Sequence, residues 1–176
     1  CQPRSERERR RDHLCRRDSD QARHLALARR CLKRLAENRV SIDDFQQHEG
    51  CNEILNVSRP DIVEAIHHAY LDTGIDAIET NTFGSNWSNL SDYGIEDRIE
   101  ELSRAGAEIA RRAVETYEAR DGRMRWVLGS IGPGTKLPSL GHTTYDNLKL
   151  TFGEQAKGLI LGGSDAPVER GEPMIE

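Results

Sequence analysis

The groups best suited to chemistry stand in one run, Glu79-Thr80-Asn81-Thr82-Phe83-Gly84, which closes the short apolar stretch Ala77-Ile78. A carboxylate, an amide and two hydroxyls in succession are poor strand formers. They make better sense as groups at the end of a buried strand, pointing into a site. The second candidate is the bend Gly132-Pro133-Gly134-Thr135, entered from the apolar stretch Trp126 to Ile131. As a phosphate cradle its Gly-Pro-Gly is a weak signal, because proline removes a donor that a phosphate would need. The loop from there to Thr143 is long for a strand-to-helix connection, which makes it a candidate functional loop and His142 a candidate lining residue. Phe83 reads equally as substrate wall or core.

Other reactive side chains carry less. Cysteines stand at 1, 15, 31 and 51, without a CxxC pair or a supporting histidine spacing, so they read as free thiols in a reducing cytosol. Cys51 reads as an inert buried thiol rather than a metal ligand or nucleophile. His67 and His68 fall in the middle of a helix, one packing and one facing solvent.

The elements that must position these groups follow from the pattern. Ser41-Ile42-Asp43-Asp44-Phe45 reads as a capped short helix, and Gly50 to Asn56 as a polar loop with two apolar anchors. Ser58-Arg59-Pro60-Asp61 opens a helix that Gly74 closes in the left-handed region, with proline in the first turn and the acid suited to the helix dipole. The spacing of Ile99, Leu102, Ala105 or Gly106, Ile109, Ala110, Ala113 and Val114 predicts a long helix over 96–119, and a third helix is predicted over 145–161. Helices alternating with short apolar strands give an α/β fold with a parallel sheet, whose ligand groups sit at strand ends. After Gly162-Gly163 another apolar strand is due. Ser164-Asp165-Ala166 begins it, but Pro167, Glu169, Arg170 and Pro173 argue that no strand forms.

Charge divides the chain. Residues 1–40 carry thirteen Lys/Arg against six Asp/Glu, whereas the remainder carries twelve against twenty-four. Residues 1–20 have almost no apolar positions and read as disordered. Residues 21–37 could form one amphipathic helix. No apolar run approaches the roughly 20 residues of a membrane span, so no membrane association is expected, and the arginine-rich start lacks the apolar core of a signal peptide. An arginine arm could neutralise nucleic-acid phosphates, but interleaved acids and missing aromatic stackers weaken that reading.

Three long segments, GCNEILNVSRPDIVEAIHHAYLDTGIDAIETNTFGSNWSNL, IEDRIEELSRAGAEIARRAV and VLGSIGPGTKLPSLGH, carry a resemblance. They resemble the homocysteine-binding (homocysteine S-methyltransferase) domain family of cobalamin-dependent methionine synthases. The resemblance implies a (β/α)8 TIM barrel, of which this chain would hold only an N-terminal portion over residues 41–166. Residues 1–40 and 167–176 would then lie outside the family pattern, as a shifted reading frame would give. It implies methyl transfer to the zinc-activated thiol of homocysteine, giving methionine. Methylcobalamin would be the donor, recharged from methyltetrahydrofolate on other domains. Substrate-binding positions would be Glu79, Asn81, Thr82, Phe83, Gly132 and Pro133. The three cysteines that hold zinc in the family have no counterpart in this chain, so no metal ligand and no catalytic residue is assigned. The expectation is a cytoplasmic methyltransferase fragment, inactive alone; the alternative is a non-catalytic interaction piece whose basic arm binds a partner or nucleic acid.

Overall fold

The computed structural model describes residues 40–169. The expectations for the arginine-rich segment, for a helix over 21–37 and for the thiols of Cys1, Cys15 and Cys31 lie outside the described residues, as does the tail after Glu169.

Ser41 caps a 3-10 turn over Ile42–Phe45, and its backbone N–H donates back to the Asp44 carboxylate at 2.7 Å, closing a capping box. Where a loop was expected, Asn52–Ile54 forms a second 3-10 turn, continued by the single-turn helix α1, Leu55–Ser58. The expected helix is α2, Pro60–Leu71, with Pro60 at its first position. The Arg59 guanidinium grips the Asp61 carboxylate through two bonds and reaches Asp44 at 3.2 Å, tying the start of α2 to the first turn. Gly74 does lie in the left-handed region, three residues beyond the last residue of the helix.

Strand β1 is short, Ala77–Glu79, and is followed by α3, Trp87–Leu90. A 3-10 turn over Glu96–Arg98 leads into α4, Ile99–Asp121, the longest helix, closed by Gly122 in the left-handed region. Between Ala105 and Gly106 the structure buries Gly106. Strand β2 runs Trp126–Ile131, and α5 covers Tyr145–Leu161 with Thr144 accepting from the Asn147 N–H as its cap. The chain then forms β3, Ala166–Glu169, contrary to the expectation drawn from Pro167 and Glu169. Among the described residues the sheet order is β1-β2-β3, all parallel, so β3 is the outer strand of the described sheet, where a missing proline donor is tolerated. Its entry is held from outside: Arg111 of α4 donates twice to the Gly163 carbonyl and pairs with Asp165 at 2.7 Å. The Asp165 carboxylate also accepts the Val127 N–H.

The helices cover one face of the sheet. Ile78 and Val127, register partners, pack with Leu71, Ala110, Ala113, Val114 and Tyr117. A second cluster of Cys51, Ile54, Leu90, Ile95, Ile99 and Leu102 closes the end near the strand termini. Helix α5 comes close to α4 at Gly158, where a Cβ would stand 2.6 Å from the Glu100 carbonyl oxygen. Side chains alternate across a strand, so Ala77, Glu79, Trp126 and Leu128 lie on the face away from the helices; Trp126 is 48% exposed. No helix among the described residues is long and apolar enough to cross a membrane.

Candidate functional site

The carboxyl ends of β1 and β2 meet in two loops, 80–86 and 132–136, bound to each other. The Gly132 N–H donates to the Phe83 carbonyl at 3.0 Å. A Cβ at Gly132 would stand 2.5 Å from that oxygen, so only glycine allows this approach. Asn86, cap of α3, donates to the same Phe83 carbonyl at 3.2 Å. Ser88 then receives the Thr135 and Lys136 N–H groups at 2.7 and 2.9 Å, which fixes the second loop against α3. Lys136 finishes the clamp, pairing with Asp92 at 2.9 Å, bonding the Ser91 hydroxyl and lying over the Trp87 ring.

The candidate residues divide into two sets within this framework. Phe83 is 47% exposed at the loop crest, Pro133 is exposed, Glu79 and Asn81 are half-buried, and Gly132 is buried between the loops. Glu79 projects on the open sheet face, opposite Leu128 in register. Thr82 lies differently. It is fully buried, its hydroxyl donates to the Ser130 carbonyl at 2.7 Å and shares a 2.6 Å bond with the Thr80 hydroxyl. Thr80 in turn accepts the Ser130 N–H at 3.0 Å. These bonds extend the pairing of β1 with β2 through side chains, past the point where the ladder stops. Thr82 therefore sits behind the loop crest and not on it.

Asn81 is also tied to the framework. Its amide donates to the Asn52 carbonyl and to Asn56 Oδ1, both at 2.9 Å, which takes both its N–H bonds and leaves its Oδ1 as the remaining polar atom. Asn56, buried, donates to the Asn81 carbonyl at 2.8 Å and to the Leu102 carbonyl at 3.1 Å. Glu53 accepts the Gly84 N–H at 2.8 Å. Residues 52–56 thus form a second polar row gripping the loop from below. Sequence reasoning missed it, together with Gln155; the cue was the spacing of Asn52 and Asn56, one helical turn apart, with Glu53 beside the first.

The donor set does not fit zinc. A zinc site needs three or four nitrogen, sulfur or carboxylate ligands converging on one point. Among the described residues no group of three His, Cys, Asp or Glu converges in that way. Cys51 is 2% exposed, and burial, followed by the neighbouring Glu53 carboxylate, pushes its thiol up to about 11. His67 is buried with no partner for Nε2, and burial, then the adjacent His68, lowers it to about 4. His142 lies exposed beyond the second loop, with Nδ1 facing the Leu137 N–H at 3.4 Å.

Comparison with known proteins adds three findings. A family model described as "Homocysteine S-methyltransferase" matches residues 22–168. Methionine synthases from Mycobacterium tuberculosis and Mycobacterium leprae are 55% and 52% identical over 127 and 132 residues, covering 72% and 75% of this chain. The matched region is 11% of each of those relatives. Among solved structures, the homocysteine methyltransferase MmuM from Escherichia coli superposes in its oxidized form with a TM-score of 0.57 at 19% identity, over 75% of this chain and 47% of that one. Its metallated form gives 0.55 at 18%, over 80% and 57%. At such identities the likeness is one of fold.

Proposed function

The chain belongs to the homocysteine S-methyltransferase family, and from that premise we propose that its joined strand-end loops form the amino-acid-holding part of a homocysteine site. The sheet would be a portion of a (β/α)8 barrel over residues 41–166, with its helix-free face turned inward and its site at the carboxyl ends of the strands. The observation that supports the reading is the bond from the Gly132 N–H to the Phe83 carbonyl, which joins the two loops at the end of the strand that carries Glu79.

Each residue has a role that its chemistry allows. The Glu79 carboxylate attracts the substrate ammonium. The exposed Phe83 ring packs against the methylene chain. Gly132 and Pro133 shape the backbone that faces the substrate, and Asn81 offers its Oδ1 as an acceptor on an amide already fixed by its donors. Thr82 supports the crest from behind. A thiol with an ordinary pKa near 8.5 is a modest nucleophile at neutral pH, and the described residues contain no group placed to deprotonate it. They bind and orient; activation of the sulfur is not assigned to them. In such a protein methylcobalamin, recharged from methyltetrahydrofolate, would be held by other domains.

Titration calorimetry of the full chain with homocysteine tests this. Saturable binding is expected, and E79A weakens it about tenfold. No saturable binding, or equal affinity in E79A, overturns the reading.

A further inference from the structure

Gln155 lies on α5, fully buried, and its Nε2 donates to the Thr82 carbonyl at 2.8 Å. The same carbonyl accepts the Ser85 N–H at 3.0 Å, so two donors from different parts of the chain fix one peptide unit. That unit joins Thr82 to Phe83. On one side of it the Thr82 hydroxyl is locked to β2. On the other side the Phe83 ring emerges, and the Phe83 carbonyl takes the Gly132 N–H. Gln155 Oε1 has no hydrogen-bond partner among the described protein atoms, and neither does the buried Ser85 hydroxyl. An unpaired buried acceptor is costly, and an apolar side chain of similar shape would fill the position without that cost. Residues that break a packing rule in this way concentrate at functional sites.

We propose that Gln155 is a positioning residue, which sets the direction of the Phe83 crest by holding the Thr82 carbonyl from the back of the sheet end. It touches no substrate. It acts through one bond to a neighbouring carbonyl, and the substrate named here rests on the homocysteine reading above.

Two variants of the full chain, with phenylalanines replaced by 4-fluorophenylalanine, test it. The fluorine signals are those of Phe45, Phe83 and Phe152, and Phe45, packed near Leu55, Val63 and Ile109, is the control. Q155M keeps the shape and removes the donor. It should unfold at or above the wild-type temperature, move the Phe83 signal, leave the Phe45 signal in place and weaken homocysteine about tenfold. In Q155E a protonated carboxyl can donate to the Thr82 carbonyl and an ionised one cannot. The Phe83 signal of that variant should therefore titrate between about pH 5 and about pH 9, the range of buried carboxyls, and the Phe45 signal should not. A Phe83 signal unmoved in Q155M, or independent of pH in Q155E, overturns the inference. Should the wild-type chain fail to bind homocysteine, the functional reading falls, and the fluorine signals alone decide whether Gln155 orients the crest.

Discussion

Asn56 and Asn81 hold each other: Asn56 Nδ2 donates to the Asn81 carbonyl at 2.8 Å, and Asn81 Nδ2 donates to Asn56 Oδ1 at 2.9 Å. The pair joins the α1 turn to the loop after β1, and Asn56 extends the link to the Leu102 carbonyl of α4. Asn56→Leu would take the side-chain donor from the Asn81 and Leu102 carbonyls and the acceptor from one N–H of the Asn81 amide, at a largely buried junction. A buried group left unpaired costs about 1–3 kcal/mol, so the substitution should destabilise by at least about 2 kcal/mol in urea unfolding. A loss below about 0.5 kcal/mol would show that the pair is dispensable.

This pair also marks how far the sequence could be read. The third helix was expected over 145–161 and forms over Tyr145–Leu161, because Thr144 and the Gly162-Gly163 pair announce its ends locally. The long helix and the first two strands were legible for the same kind of reason: period, cap and turn lie within a few residues of one another. Residues 52–58 were not, because what holds them is distant. Asn56 finds its partners 25 and 46 residues away, and a polar run read alone resembles a loop. β3 was rejected on Pro167, a rule that governs central strands and is relaxed at an edge. Thr82 was grouped with its neighbours on the crest, whereas its hydroxyl turns back to β2. Gln155 looked like one more position on a helix, since its target carbonyl lies 73 residues earlier.

Gly132→Ala tests the contact between the loops. Its Cβ would meet the backbone oxygen of Phe83, which cannot rotate away as a flexible side chain would. One loop must move off the other. Overpacking of this kind costs about 1–3 kcal/mol, and homocysteine affinity should fall with it. Wild-type stability in G132A, measured by thermal unfolding, would mean that the loops are free to separate.

His67 governs the response to mild acid. In the folded protein it titrates at about 4, against about 6.5 when unfolded. Between those values the unfolded chain binds the extra proton, so stability is full above about pH 6.5 and declines as pH falls towards 4. The loss approaches about 3 kcal/mol. The carboxylates of Asp61, Glu101 and Asp121 are each held low by an arginine, Arg59, Arg98 and Arg125 respectively, and so act at lower pH, below about 4. In H67L the decline between pH 6.5 and 4 should flatten. An unchanged slope would assign the effect to another group.

Cys51 reports on the same body of structure by reactivity. The thiolate is the species that alkylates, and at pH 8 a thiol pushed up to about 11 and 2% exposed has very little of it. Its packing against Ile54, Leu90, Ile99 and Leu102 also denies the reagent access, so modification must wait for opening of the strand-end cluster. With iodoacetamide, the peptide that contains Cys51 should remain unmodified in the folded chain and react fully in urea. In the Asn56→Leu variant it should react faster in proportion to the lost stability, because Ile54, in the turn that leads into α1, and Val57 of α1 pack in the Cys51 cluster. Modification in the folded wild type at the rate of an exposed thiol would contradict the packing of residues 51–58 beneath the loop, and with it the support of Asn81 and Gly84 from that side.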